Sequence, residues 1–477
     1  MNERIIDNFL LLTRIPRKSH HEEAVSRFLY NWAVEKGLQA WRDEVGNVVV
    51  DRPGAPGCEN APRTILQAHM DMVCVAEPGK AYDPLTDPIT VINDGKTLTA
   101  DGTSLGGDDG AGVAIAMSIL EDENACFGPV RAVFTVDEED GMAGAEALDS
   151  RHLDARYMIN LDWEAFGSLC CSSAGSDMYA FSKEASSLPA EGAAFALTVS
   201  GLEGGHSGAQ IHLGRANAIR LAAGILAAGS GRCGGACLAS FMGGSAHNAI
   251  PSSCQAVIVT PAEKAPDFLE AAREAIDLAL EGCALTDPHA VISIVQTDGV
   301  DSALSADDTA MILGILTEVH DGVNTWSASI PGLVESSANT GLAQLGGGRF
   351  EFTVHQRSSE PAITAEMKKV FIAQAAKYGF AMDVLASSPP WPVRPGSELL
   401  EICSRQYKAL TGQEIRVEPV HAGLECGGFS AKNPALDIIS IGPDILDIHS
   451  PKETLILESV YNCDRLVRSI LKEIAEK

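Results

Sequence analysis

The sequence predicts an α/β protein: a mixed, mostly parallel sheet flanked by helices, with an inserted α+β domain. Three observations lead there. In the first part of the chain, short apolar runs alternate with helical patterns, as in a parallel sheet covered on both faces. Between 184 and 386, strands recur with long helices, consistent with an antiparallel sheet carrying helices on one face. From 387 the first pattern resumes. A chain of 477 residues exceeds one small core. The first domain is therefore read as 1–183 plus 387–477, and the inserted one as 184–386.

Taken in order, the first 40 residues read as two helices, the first with Ile5, Phe9, Leu10 and Leu12 on one face. Asn47 to Val50 reads as a short strand and Thr64 to Ala68 as a buried one. Gly106-Gly107-Asp108-Asp109-Gly110 opens a helix through Val113, Ile115, Ala116, Ile119 and Leu120. Arg131 to Val136 and Tyr157 to Leu161 are strands, with a short helix at Glu146 to Leu148. Ser186 to Gly192 connects to the inserted domain. Its strands lie near Phe195 to Ser200, Cys237 to Met242, Gln255 to Val259, Val291 to Val295 and Phe350 to His355. Its helices lie near 216–228, 266–280 and 363–378. Ser387-Ser388-Pro389-Pro390-Trp391-Pro392 leads back to a helix at 398–410 and a strand at Asp437 to Ile441.

The formal net charge is −29, from 35 basic and 64 acidic residues. Such a surface repels phosphate backbones and anionic lipid, which argues against nucleic-acid and membrane partners. No apolar run reaches the roughly 18 residues of a membrane span. The N-terminus lacks the apolar stretch of a secretory signal, so the expected location is the cytoplasm. The 12 Cys show no regular spacing and no C-x-x-C pair. They read as reduced thiols rather than disulfides or a Cys-based zinc site.

Polar metal-ligand chemistry stands at the ends of several predicted strands. Thr64 to Ala68 runs into His69-Met70-Asp71, a nitrogen ligand with a carboxylate able to orient it. Arg131 to Val136 runs into Asp137-Glu138-Glu139, Tyr157 to Leu161 into Asp162, and Asp437 to Ile441 into the loop of His449. In open α/β sheets, sites form beyond the carboxyl ends of the strands. Asp108, just before a helix, completes the set. Mixed nitrogen and oxygen donors suit Zn²⁺, with Mn²⁺ or Co²⁺ as alternatives. The number of donors suggests two ions, one carboxylate bridging them. Two ions about 3.5–4 Å apart would polarise a carbonyl and acidify a shared water, and a further carboxylate would move the proton. Each element also has a plainer reading: a structural His, a solvated Glu-Glu turn, an Asp-Asp helix cap.

With Gln67-Ala68-His69-Met70-Asp71-Met72-Val73, Asn160-Leu161-Asp162, Gly204-Gly205-His206-Ser207-Gly208, Gly214-Arg215-Ala216-Asn217-Ala218, Asn248-Ala249-Ile250-Pro251 and His421-Ala422-Gly423-Leu424-Glu425-Cys426-Gly427, the whole chain resembles a known group. These are the dinuclear zinc metallopeptidases of the aminoacylase and carboxypeptidase superfamily, and within them the aminoacyl-histidine dipeptidases. The resemblance implies that His69 and Asp162 hold one zinc, Glu139 and His449 the other, and that Asp108 bridges. It implies that Glu138 is the general base acting on a metal-bridged hydroxide and that Asp71 orients His69. The inserted domain would be a lid, used also for homodimer formation, with His206 stabilising the oxyanion. Asn248 and Arg357 would contact a short peptide substrate, Arg357 at its C-terminal carboxylate; a surface role for Arg357 is equally open. Glu425 is read as a receptor for the substrate ammonium. Asp109, Trp163, Ala165 and the Ala246-His247 pair depart from the pattern of many relatives and leave the dipeptide preference open.

Other readings remain. The same metals serve tripeptide aminopeptidases, carboxypeptidases and acyl-amino-acid deacylases. Gly102-Thr103-Ser104-Leu105-Gly106 matches the G-x-S-x-G elbow of serine hydrolases. A binding protein with a dead site is a third class, against which Glu138 and the full ligand set argue.

Overall fold

Four parallel strands bring the candidate ligands to one edge of a sheet. They are Val130–Thr135, Thr64–His69, Tyr157–Asn160 and Asp437–Ser440, side by side in that order. Gln39–Arg42 and Val48–Arg52 extend the sheet antiparallel beyond the first, and Ser168–Ser173 and Arg416–Val420 extend it beyond the last, giving eight strands. The computed structural model describes residues 2–328, 330 and 332–476, so Met1 of the predicted first helix lies outside the described residues. The chain divides into two compact units: Met1–Ser173 with Trp391–Pro419 and Leu424–Lys477, and Ala174–Pro390 with Val420–Gly423.

The central strands of the first unit are buried along their whole length. That explains their continuous apolar runs, since helices cover both faces of such a sheet. The segment Gly107–Leu120 is helical after a non-helical Asp108-Asp109 turn, is buried at all of its residues and has no polar face. It lies on strand Thr64–His69 and against helices Asn2–Leu12 and Leu457–Ala475. Leu66, Ala68, Phe134, Ile159, Ile439 and Leu466 belong to the resulting core. Burying each of the larger side chains contributes about 1.5–3 kcal/mol.

The second unit is built on a nine-stranded antiparallel sheet. Its order is Val291–Thr297, Ala193–Ser200, Cys254–Thr260, Cys237–Gly243, Val334–Gly346, Arg349–Ser358, Gly175–Glu184 and Ala381–Ser388, with Gly322–Trp326 paired beside Val334–Gly346. Its inward residues share one apolar cluster with helices Ala218–Cys233, Ala265–Cys283, Ala306–Glu318 and Pro361–Tyr378. Strand Gly175–Glu184 pairs with Arg349–Ser358 and Ala381–Ser388. The second unit therefore opens at Ala174, ahead of the boundary at 184 read from the sequence. Asn217 caps helix Ala218–Cys233 by accepting from the N–H groups of Ile219 and Arg220. All 12 cysteines are free thiols.

Candidate metal centre

Because the four parallel strands end on the same side, their following residues meet. His69 is the last residue of its strand and is 1% exposed. Its Nε2 lies 3.0 Å from Asp108 Oδ1 and 3.4 Å from Asp162 Oδ1. His449, in a loop with φ of 57°, places Nε2 3.2 Å from Asp108 Oδ2 and 2.9 Å from Glu139 Oε2. The two oxygens of Asp108 thus face two different imidazoles. Asp108 reaches this position from a loop in which its peptide bond to Asp109 is cis.

Asp71 is fully buried and serves more groups than His69 alone. Oδ1 lies 3.3 Å from His69 Nδ1 and accepts the Glu138 N–H at 3.0 Å. Oδ2 accepts the Glu139 N–H at 3.2 Å and the Ser19 hydroxyl at 2.8 Å. Glu22 accepts the preceding N–H, of Asp137, whose φ of 54° turns the chain into the left-handed region. The Glu138-Glu139 segment is therefore held by its backbone, and the two side chains part: Glu139 faces His449, while Glu138 is bound by no imidazole among the described residues. Asp109 takes the role of helix cap, accepting from Gly112 N–H at 3.0 Å and from His69 N–H at 3.3 Å. Of the adjacent pair, one residue caps and the other faces the histidines.

The electrostatics of the cluster fit divalent cations. The hydrogen bonds of His449 to Asp108 and Glu139 push its imidazole up to about 10. Against the desolvation of its burial, Asp162, Asp108 and Asp71 push His69 well up too. Burial and the charge of Asp108 raise Glu164 to about 7. Burial pushes Asp71 up, but His69 and the N–H of Glu138 hold it down at about 2. Glu139 keeps a second buried oxygen, Oε1, without a hydrogen-bond partner. Carboxylates outnumber the imidazoles here, and an imidazolium proton answers the same excess of negative charge that a cation would. Atoms of Asp108, Asp162 and Glu164 also lie within 4.8 Å of one another. Glu164, partly exposed, was not singled out in the sequence because it lies beyond the strand end rather than at it.

Beneath the candidate ligands a polar row crosses the sheet. Ser440 donates to Asn160 Oδ1, and Asn160 Nδ2 to Gln67 Oε1 at 2.5 Å. Gln67 Nε2 and Thr135 Oγ1 both donate to Glu425 Oε2, at 2.6 and 2.8 Å. Glu425 is 1% exposed, and its Oε1 has no partner.

The second unit holds its own predicted residues. His206 Nδ1 accepts the N–H groups of Gly208 and Ala209, at 3.1 and 3.0 Å. Burial and the charge of Arg357 push this imidazole down to about 4, so it is neutral and Nε2 carries its proton. Arg357, on strand Arg349–Ser358, is 6% exposed, and its Nε has no partner. Burial of the cation lowers it to about 10. The side chain is therefore not on the surface of its unit, and it forms no ion pair among the described residues, a costly state for a buried cation. A Cβ at position 208 would lie 3.0 Å from Arg357 Nε and 3.1 Å from His206 Cε1, so a glycine there lets the two groups approach. Asn248 is exposed, and its carbonyl accepts the Ser207 N–H. His421, bonded to Ser337 at 2.8 Å, and His355 also face Arg357 electrostatically. His355 was read only as part of a strand.

Ser104 is no nucleophile elbow. It is fully buried, donates to Val73 O at 2.7 Å and accepts the Val75 N–H at 3.2 Å. The strand before it, Thr97–Ala100, belongs to a small four-stranded sheet, so a turn above a central strand is not formed.

Known proteins share this architecture and sequence. A cytosol non-specific dipeptidase of Escherichia coli (strain K12) is 32% identical over 473 residues, 99% of this chain and 97% of that one. The crystal structure of an aminoacylhistidine dipeptidase from Vibrio alginolyticus matches with a TM-score of 0.87 at 30% identity, over 98% of this chain and 96% of that one. A tripeptidase from Staphylococcus aureus subsp. aureus mu50 shares the fold, with a TM-score of 0.57 at 17% identity over 100% and 99%. Residues 65–473 match peptidase family M20/M25/M40. With a site suited to a pair of metal ions, the chain is a metallopeptidase and belongs to that family.

Proposed function

We propose that the chain is a dinuclear zinc dipeptidase of the cytoplasm, acting on short peptides with a free amino group and on Xaa-His dipeptides such as β-alanyl-histidine among them. The observation that carries this reading is Asp108, with one oxygen 3.0 Å from His69 and the other 3.2 Å from His449. His69 and Asp162 are assigned to one ion, Glu139 and His449 to the other, and Asp108 to both. The nitrogen and oxygen donors suit Zn²⁺, with Mn²⁺ or Co²⁺ as alternatives. Bound there, the ions supply Lewis acidity toward the scissile carbonyl and acidify water.

The chain's own groups do the rest. Glu138 takes the proton of the attacking water and delivers it to the leaving nitrogen. Asp71 fixes the ring of His69 and the peptide groups of both glutamates. His206 offers its Nε2–H to the oxyanion. Arg357 and Asn248 are assigned to the substrate carboxylate. The free Oε1 of Glu425 is assigned to the substrate ammonium. The names of the Escherichia coli and Vibrio alginolyticus relatives support a dipeptide substrate and, for the former, a cytosolic location.

The test is a panel of dipeptides, N-acetyl dipeptides, tripeptides and acyl amino acids on zinc-reconstituted enzyme. Free-amine dipeptides are hydrolysed, a chelator stops the reaction and zinc restores it. In Glu425→Gln the KM for free-amine dipeptides rises about tenfold, the loss expected of one charge-assisted contact. Comparable kcat/KM on tripeptides or acyl amino acids would overturn the dipeptide assignment, and an unchanged KM in Glu425→Gln would overturn the ammonium site. A homodimer through the second unit belongs to the same proposal. It is motivated by exposed Val291 and Val295 on that unit's edge strand. Sedimentation at micromolar chain concentration reads it, and a monomer there excludes it.

A further inference from the structure

The loop that delivers Asp108 rests its peptide groups on a side chain from the far end of the sequence. Glu453 Oε2 accepts the N–H groups of Leu105 at 2.7 Å and Gly106 at 2.9 Å. Its Oε1 accepts those of Gly107 at 2.6 Å and Asp108 at 3.2 Å. Glu453 is 3% exposed. Four consecutive N–H groups converging on one carboxylate form an anion-binding nest whose anion is built into the protein. Arg17, 2% exposed, takes carbonyl groups around the same loop: Met70 at 3.0 Å, Asp71 at 2.9 Å, and Gly106. The packing leaves no room for side chains there. Gly106 has a φ of 72°, and a Cβ on it would lie 2.4 Å from Arg17 Nη2 and 2.7 Å from Met72 Sδ.

Glu453 belongs to the same short connection as His449, between strands Ile445–Leu446 and Thr454–Ile456. One side chain therefore ties the loop of His449 to the loop of Asp108. We propose that Glu453 is the positioning residue of the metal site formed by Asp108, Glu139 and His449, holding two of its three ligand loops as one piece. It touches neither substrate nor reacting atoms. The inference rests on the ligand assignment above. Of the ligands that Glu453 controls, Asp108 and His449 serve this ion, whereas Asp108 alone serves the ion of His69 and Asp162. Loss of Glu453 therefore weakens the His449 ion more.

The test titrates apo-protein with Co²⁺ against a competing chelator, reading visible absorption, for wild type, E453Q, H449A and the double variant. Thermal midpoints are recorded in parallel. In E453Q an amide NH₂ replaces one acceptor and faces two peptide donors. The expected result is one ion bound within twofold of wild type and the other at least tenfold weaker, with kcat recovering as cobalt is raised. E453Q adds less than twofold to the loss in H449A, because both act on one site. E453D, which keeps the charge, falls between wild type and E453Q, and it serves as the test if E453Q does not fold. Wild-type constants for both ions, equal weakening of both, or additivity with H449A overturns the proposal. Two ions bound by a wild-type enzyme that cleaves no dipeptide would refute the substrate assignment and leave this inference standing.

Discussion

Glu138→Gln lowers kcat/KM for a free-amine dipeptide by about 10²–10⁴-fold, the contribution of a positioned general base, and keeps two ions per chain. The two halves of this expectation come from the parting of adjacent glutamates. Glu139 Oε2 stands 2.9 Å from His449 and is spent on that contact. Glu138 has its peptide N–H fixed 3.0 Å from Asp71 and its carboxylate left free. Burial pushes that carboxyl well above the ordinary range, and Glu139, Glu425 and Asp108 push the same way against His69. A carboxyl that accepts a proton readily suits a group that must receive one and release it within a turnover, and bound cations would lower it again and favour the carboxylate that acts as base. The amide of Gln keeps the shape and loses the proton acceptor. Steady-state kinetics with elemental analysis separates the outcomes. Activity within about twofold of wild type removes Glu138 from the proton route, and loss of an ion makes it a ligand instead.

The strand-end candidate ligands were legible in the sequence because they combine two local signals, an apolar run and a polar residue where the run stops. Parallel strands make that combination spatial, since their carboxyl ends share one edge. His69, Asp108, Glu139, Asp162 and His449 therefore meet although they are scattered over most of the chain. Which of two neighbours faces the site came from the family resemblance, since no local signal separates Asp108 from Asp109 or Glu138 from Glu139. Asp109 caps a helix through Gly112 N–H while Asp108 lies beside the histidines, so the cap expected of the pair is made by one residue and the other is left to face the imidazoles. The G-x-S-x-G pattern matched its template letter by letter, yet it follows a strand of the wrong sheet.

The residues that hold the loops of the candidate ligands escaped notice for a physical reason. Glu453 meets its donors across 345–348 positions, and nothing local distinguishes it among the chain's many acidic residues. Arg17 likewise acts through carbonyl groups, which carry no side-chain signature. In the second unit, strands Gly175–Glu184, Val334–Gly346 and Ala381–Ser388 were missed. Val334–Gly346 is rich in Ser, Ala, Asn and Gly, residues of weak intrinsic strand preference, and its pairing on both sides sets its conformation.

Asp108→Asn should lose binding of at least one ion and lower hydrolysis by about 10³-fold or more at zinc concentrations that saturate the wild type. Removing a partner that merely orients a ligand costs about 10–100-fold in affinity or activity, and Asp108 is assigned to both ions. Asparagine keeps one carbonyl oxygen, enough to serve His69's ion or His449's ion but not both, and its NH₂ would point a donor at a cation. The fold should survive, because the loop is held through its peptide groups by Glu453 rather than through the Asp108 side chain. Stability gives a second readout. An ion bound only by the folded state at 100 times its Kd stabilises it by about 2.7 kcal/mol. Wild type therefore gains thermal midpoint on adding zinc and loses it with a chelator, and Asp108→Asn shows less than half of that shift. Two ions bound with wild-type affinity and a full zinc-dependent shift in Asp108→Asn would show that the two imidazoles facing its oxygens mark a hydrogen-bonded pair and not a shared metal ligand.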